Sequence, residues 1–152
     1  MRGILLLILC SFIAASSVGA VMVKRDLEDL TRESDLIVIG NVVSMDSQQG
    51  EKGRISTYVS IKVEEYVKGK PREAEIVIVI PGGTVGELSM WVSEAATFTL
   101  NERNLLFLDH LRDNLYQLVG GAQGKLTVEK GRVCEYEMPL AAILDRIREE
   151  LQ

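Results

Sequence analysis

The segment from Ile55 to Val67 constrains the fold of this chain more than any other part of it. Isoleucine, threonine and valine occupy every second position from Ile55 to Val63, and serine, tyrosine and lysine lie between them. Because successive side chains of a strand point to opposite faces, this alternation predicts a strand with one packed and one solvated face. It is longer than the usual strand of about five to six residues. We therefore expect it to bend and to serve two sheets or both sides of a barrel.

Further segments have the composition of strands and are bounded by turn residues. The first, Asp35 to Val43, is apolar on both faces and contains Gly40, which predicts a buried strand with a bulge or sharp bend. A polar loop is predicted over 46–53. The remaining strands are predicted at 74–80, 88–92, 103–108, 115–119, 125–129 and 132–134.

Two amphipathic helices flank these strands. Val23, Leu27 and Leu30 share one face of a short helix predicted over 24–33. A second apolar stripe predicts a C-terminal helix over 139–151, with Pro139 in its first turn; the stripe comprises Leu140, Ile143, Leu144, Ile147 and Leu151. The expected fold is mainly β: one domain over 21–152, built as a small OB-like antiparallel barrel whose ends or open face the two helices cover.

The start of the chain has the features of an export signal. Arg2 precedes an apolar stretch from Ile4 to Ala15, and small residues at 16–20 suit a signal peptidase. This pattern predicts a signal peptide over 1–20, cleaved after Ala20. The alternative is an uncleaved membrane anchor over 3–23, a length that spans a bilayer. Both interpretations place the folded domain outside the cytoplasm, either secreted or in the cell envelope.

The charge of the exported part argues against nucleic-acid binding. Of the 17 basic residues only Arg2 lies in the predicted leader, so 16 basic residues remain against 22 acidic ones, a net charge of −6. Phosphate backbones are bound by clusters of Lys and Arg, which an acidic chain does not favour. Cys134 is the one cysteine beyond the leader. We expect a buried, unreactive side chain, with a disulfide between two chains as the alternative.

The residues needed for catalysis or metal binding are largely missing from the sequence. His110 is the sole histidine, no Gly-x-Ser-x-Gly elbow occurs, and one His plus one Cys cannot complete a zinc site. The glycine-rich run at 120–125 resembles a phosphate loop, but Val119 and Leu126 replace the glycine and hydroxyl residue that such a loop requires. The sequence thus predicts a protein that is not an enzyme and has no cofactor or metal.

Trp91 is the main candidate for a binding residue. It alternates with Leu88, Met90 and Val92, which we expect to belong to the core. Burial beneath the C-terminal helix is the favoured interpretation, because aromatic side chains are often buried. The alternative is an exposed position on the outer face, where a tryptophan marks a spot for partner binding.

Several motifs resemble known exported proteins. The run VEEYVKGK at 63–70, following a long Thr-Tyr-Val strand, resembles netrin-like domains, the OB-type barrels that include tissue inhibitors of metalloproteases. The later part of the chain is similar to a group of exported prokaryotic proteins. The matching residues are Pro81, Gly82, Gly83, Val92, Ser93, Phe98, Glu102, Gly121, Gln123, Gly124 and Lys125. The chain departs from that pattern at Glu94, Ala96 and Asn101, which indicates an altered loop there.

The resemblance implies an OB-like fold but transfers no activity, since fold alone does not license function. The inhibitors chelate the protease zinc through an N-terminal cysteine, whereas the expected mature chain begins at Val21. The function expected here is that of an exported, non-catalytic module that binds a protein or envelope component. The residues expected to bind it are Trp91, Gly82, Gly83, Phe98, Gln123 and Lys125. The alternatives are protease inhibition through loop 82–86 or 94–98, and an enzyme centred on His110.

Overall fold

The computed structural model describes residues 23–70 and 73–152, so the predicted signal peptide lies outside the described part. In that part, no helix is long and apolar enough to cross a membrane. The helices are α1 (Leu27–Glu33) and α2 (Leu140–Glu150). The strands are β1 (Leu36–Gln49), β2 (Ile55–Lys68), β3 (Glu75–Pro81), β4 (Gly83–Val85), β5 (Leu88–Met90), β6 (Arg103–Arg112), β7 (Leu115–Leu118), β8 (Lys125–Glu129), β9 (Arg132–Val133) and β10 (Met138–Pro139).

The prediction of a mainly β fold is confirmed. Eight strands form one sheet in the order β1-β2-β3-β7-β6-β8-β9-β10, while β4 and β5 form a separate hairpin. An additional pairing of β1 with β6 makes the sheet close partly on itself. With eight strands, the sheet is larger than the small barrel that the sequence predicts. One pair, β3 with β7, is parallel rather than antiparallel. β7 follows β6 in an antiparallel hairpin, and this hairpin places β7 beside β3 with the same chain direction.

β1 and β2 are the longest strands of the sheet. They pair along most of their length, from Ile37 opposite Lys68 to Gln49 opposite Ile55. The loop predicted over 46–53 is therefore wrong for 46–49, which continue β1. The bulge predicted at Gly40 is confirmed, because the register shifts between Ile39 and Gly40. A Cβ atom at Gly40 would lie 2.5 Å from Cγ2 of Ile61, so the strands approach more closely there than a side chain allows.

The sheet separates two apolar cores, and β1 and β6 contribute to both. Ile37, Ile39, Leu105 and Phe107 face the helix-side core, in which α1 and α2 pack. The residues between them in sequence face the second core, which we call the interior core. That core comprises Leu36, Val38, Val42, Val59, Ile61, Ile76, Ile78, Ile80, Leu106, Leu108 and Leu118. This two-sided burial explains why these strands are apolar at successive positions.

The helices occur where predicted, with shifted starts. α1 begins at Leu27 rather than Lys24, because the Asp26 side chain accepts a hydrogen bond from the Asp29 backbone N–H (2.8 Å) and caps the helix. Val23 consequently lies outside the helix and is exposed. Pro139 precedes α2 rather than lying in its first turn, and Leu151, predicted in the apolar stripe, is partly exposed beyond its end.

Candidate functional site

The connection between β3 and β6 forms a groove against the sheet. Gly82 and Gly83 open this connection with φ angles of 95° and 134°, values that favour glycine. A Cβ atom at Gly83 would lie 2.4 Å from Oγ1 of Thr57 and 2.5 Å from Oγ of Ser47. The two glycines therefore let the chain lie directly on the β1–β2 hairpin, which is a structural reason for the Pro-Gly-Gly motif.

Hydrogen bonds fix both ends of this connection. At its start, Oγ1 of Thr57 donates to the Gly82 carbonyl (2.8 Å), and the Gly82 N–H donates to the Ile55 carbonyl (2.9 Å). At its end, the Asn101 N–H donates to the Val42 carbonyl (2.9 Å), and the Val42 N–H donates to the Glu102 carbonyl (3.0 Å). The segment between them is therefore held at a defined distance from the sheet.

The groove is apolar and uncharged. Its volume is about 250 Å³. None of the described residues that line it carries an ionisable side chain; they are Met45, Thr57, Val59, Ile80, Pro81, Gly82, Gly83, Met90, Trp91, Val92, Ala95, Ala96, Thr97 and Phe98. Residues from three strands of the sheet form one side, and the β3–β6 connection forms the other. A surface of this composition suits an apolar group and penalises the burial of a charge.

Trp91 lies at the rim of this groove with 86% of its surface exposed. Its predicted burial beneath the C-terminal helix is wrong, because α2 packs in the helix-side core while Trp91 follows β5 in the connection. Leu88, expected in the core, is also exposed because the β4–β5 hairpin stands outside the main sheet. The structure thus gives Trp91 the outer position that the sequence analysis considered as the alternative.

Phe98 and Lys125 are adjacent, but only Phe98 lines the groove. The Lys125 ammonium lies 5.1 Å from the Phe98 ring centroid and 2.9 Å from Oε1 of Glu102. The Lys125 side chain is only 11% exposed. Oε2 of Glu102 accepts a hydrogen bond from the Thr99 N–H (3.2 Å), which closes the turn before β6. Lys125 therefore supports Phe98 and this turn rather than offering a free charge to a partner.

Gln123 lies elsewhere and binds the beginning of the described chain. Its Oε1 accepts a hydrogen bond from the Arg25 N–H (2.8 Å), and its Nε2 donates to the Val23 carbonyl (3.1 Å). A Cβ atom at Gly120, which has a φ of 66°, would lie 3.1 Å from the Arg25 side chain. The glycine-rich run thus forms a seat for residues 23–25, and we call these contacts of Gln123 and Gly120 the N-terminal clamp.

His110 and Cys134 lie two strands apart. Nε2 of His110 is 2.9 Å from the Asp113 carbonyl, and its ring packs edge-on against Tyr116 with 5.3 Å between centroids. Cys134 follows β9 and is exposed, so its predicted burial is wrong. Partial desolvation and the nearby Glu129 and Glu135 carboxylates raise the pKa of the Cys134 thiol, which disfavours the nucleophilic thiolate. The structure therefore does not form a Cys/His pair.

Four of the six predicted site residues meet in the groove: Trp91, Gly82, Gly83 and Phe98. The sequence analysis missed the part of the groove that the sheet contributes, including Met45, which lies in the segment predicted as a loop. The alternation in β2 was the available signal, because it places Thr57 and Val59 on one face.

No known protein-family model matches the chain, and no curated protein is significantly similar to it. The site must therefore be interpreted from its geometry.

Proposed function

We propose that this chain is an exported, non-catalytic binding module that holds a partner protein or envelope component against the groove beside Trp91. The observation that carries this proposal is the 86% exposure of Trp91 at the rim of an uncharged, apolar groove. Tryptophan dominates the binding energy of many interfaces because it buries a large area on association. An exposed indole beside an apolar concavity is typical of such a surface.

The fixed position of the β3–β6 connection supports the proposal. Gly82 and Gly83 seat one end on the sheet, and the hydrogen bonds of Val42 with Asn101 and Glu102 hold the other. Phe98 packs against the interior core between them. A binding surface that exists before the partner arrives loses less conformational entropy on association, which favours affinity.

We further propose that the sheet is an enlarged OB-like barrel. The circuit β1-β2-β3-β7-β6, closed by the β1–β6 pairing, supports this assignment. OB-type barrels bind ligands on the face of their second and third strands and on adjacent loops. Thr57, Val59 and Ile80 of the groove belong to β2 and β3. The uncharged lining disfavours the oligonucleotides that many such barrels bind, since these need basic side chains.

Site-directed photocrosslinking tests this function. The full chain, with its own leader, is expressed in an exporting host with p-benzoylphenylalanine in place of Trp91 and is purified as the host processes it. We expect a discrete crosslinked product with secreted or envelope proteins of the source cells. The matched control carries the crosslinker in place of Leu111, which is 43% exposed and does not line the groove. The same products from both positions, or none from position 91, would contradict the proposal.

The β4–β5 hairpin favours protease inhibition as a second candidate function. It forms its own two-stranded sheet, Leu88 is 55% exposed, and a Cβ atom at Gly86 would meet nothing within 4 Å. An exposed loop on a rigid scaffold suits insertion into a protease cleft. A panel of secreted metalloproteases and serine proteases tests it. Inhibition that is lost in Leu88→Ala supports this candidate, and no inhibition at micromolar concentration ends it.

A further inference from the structure

The β3–β6 connection carries charge of one sign only. Between Gly82 and Asn101 the charged residues are Glu87 and Glu94, and the stretch contains no lysine or arginine. Both glutamates are exposed. Neither forms an ion pair with another residue of the described chain, in contrast to Glu64 or Glu102. Their negative charge is therefore available to a partner.

Both carboxylates belong to the connection that lines one side of the uncharged groove, and Glu94 also lines the adjoining concavity beside Gln117 and Leu118. Glu94 lies in sequence between the lining residues Val92 and Ala95, and Glu87 lies at the tip of the β4–β5 hairpin that leads to Met90. The surface thus combines an apolar centre with an acidic rim. Complementary charge at the rim of an interface determines which partners associate and how fast.

The size and chemistry of the groove limit its occupant. Its volume of about 250 Å³ is below the roughly 300–1,000 Å³ of sites that enclose small molecules, so it suits a few apolar side chains. Met45 and Met90 are flexible enough to adapt to different aliphatic groups. An anionic membrane surface would attract a basic rim, and the acidic rim here disfavours it.

From these observations we infer that the groove binds an extended segment of a partner protein in which apolar residues are flanked by lysine or arginine. This inference rests on the proposed function and adds the chemistry of the partner to it. The apolar side chains enter the groove beside Trp91. The flanking basic side chains pair with Glu87 and Glu94 at the rim.

Two synthetic peptides test the inference. Each has a core of six alternating leucine and valine residues with a fluorescein label; one is flanked by two lysines at each end, the other by two glutamates. Fluorescence anisotropy measures the binding of each to the full chain as purified from an exporting host. At low salt we expect the lysine-flanked peptide to bind at least about tenfold more tightly, and this ratio to shrink at about 0.5 M salt because of screening.

Variants assign the effect to the rim and to the groove. In Glu87→Gln with Glu94→Gln, the preference for lysine flanks should fall to near parity, while the fold is unaffected because both side chains are exposed and unpaired. Trp91→Ala should weaken binding of the lysine-flanked peptide about tenfold or more. The control Leu111→Ala, at an exposed aliphatic side chain outside the groove, should bind as the unsubstituted chain does.

Three results would overturn the inference: equal affinity for both peptides, no binding of either, or binding only to vesicles of anionic phospholipid. The crosslinking experiment separates these failures from failure of the proposed function. A specific crosslinked protein at position 91, together with unselective or absent peptide binding, leaves the binding function standing and removes the basic, apolar segment as its ligand. If position 91 also yields no crosslinked protein, both proposals fall.

Discussion

At the residue scale, Gln123 is the clearest case of a motif residue whose role the structure changes. The sequence analysis expected it to contact a partner. In the structure both ends of its amide are used by the backbone of residues 23–25, which continue into α1. A glutamine is suited to this position because a single amide presents both a donor and an acceptor. Its position in the motif is explained by folding rather than by binding.

We expect Gln123→Ala to reduce the free energy of unfolding by about 1–2 kcal/mol, because the two hydrogen bonds from its side-chain amide to the backbone of Val23 and Arg25 are lost. Thermal melting measured by circular dichroism should show this as a decrease of roughly 2–8 °C. Gln152→Ala, at the exposed C-terminal residue, is the control and should melt as the unsubstituted chain does. An unchanged melting temperature for Gln123→Ala would show that the clamp contributes no stability.

Asp109 should make the free energy of unfolding fall as the pH rises. Burial, followed by the negative charges of Asp35 and Glu33, raises the pKa of its carboxyl above the ordinary 3.8. Because the folded state holds this proton more tightly than the unfolded state, stability declines as pH rises from about 3.8 through the raised pKa. We therefore expect Asp109→Asn to raise the melting temperature at pH 7 and to leave it nearly unchanged at pH 3.

Glu64 should change stability with pH in the opposite direction and serves as the control for Asp109. The hydrogen bond from Arg103 lowers the pKa of Glu64 below 4.5, partly offset by burial, and the Asn41 amide lowers it further. Its contribution to stability is present above pH 4.5 and is lost as pH falls through the lowered pKa. Glu64→Gln should therefore lower the melting temperature at pH 7. Shifts of the same sign in the two variants would contradict this account.

At the element scale, α1 and α2 are joined by two kinds of contact of different strength. Leu27 and Leu30 pack with Ile143 and Ile147 in the helix-side core. At the surface of this pair, Arg146 bonds Glu28, and Arg32 lies 3.2 Å from Glu150. All four charged side chains are about a third or more exposed, so solvent screens these ion pairs. The apolar contacts should dominate.

We expect Ile147→Ala to reduce the free energy of unfolding by about 2–5 kcal/mol, because its fully buried side chain leaves a cavity. Arg146→Ala should reduce it by less than about 1 kcal/mol. Urea denaturation of both variants measures the difference. A larger effect at Arg146 than at Ile147 would mean that the ion pair, rather than the apolar core, holds the helices together.

The helices and strands were predictable from sequence where the burial of one face imposes a regular spacing of apolar residues, and not elsewhere. The alternation in β2 and the apolar stripe of α2 follow directly from one buried face. Residues 46–49 extend β1 although they are polar, because their backbone pairs with Ile55–Tyr58 of β2 and the Ser47 hydroxyl hydrogen-bonds that of Thr57. Leu88 and Met90 alternate like a packed strand, yet their hairpin pairs with no other strand of the described residues.

At the scale of the whole molecule, the groove was not predictable because it depends on contacts between distant parts of the chain. Met45 and Trp91 line it together, and neither the length of the intervening sequence nor its composition indicates their proximity. Glycine φ angles at 82 and 83 decide how the connection lies on the sheet. Local propensity indicates a turn there but not its direction in space.

A disulfide between two molecules would use Cys134, the one free cysteine in the described chain. Its exposure permits a disulfide between two copies, while its raised pKa slows oxidation at neutral pH. We expect a non-reducing gel to show monomer after incubation in air at pH 7 and a growing dimer band above pH 9. Cys134→Ser should remain monomeric at both values. Dimer that forms at pH 7 as fast as above pH 9 would contradict the effect of the raised pKa.

The N-terminal clamp also limits how far the domain can move from whatever precedes it. The Val23 carbonyl is already bound by Gln123. If the leader is retained as the membrane anchor predicted over 3–23, Val23 is the last residue of that anchor, and the domain is held directly at the bilayer with Gln123 on its membrane-proximal side. Such a close attachment would restrict the domain's tumbling and confine its binding partners to the layer beside the membrane.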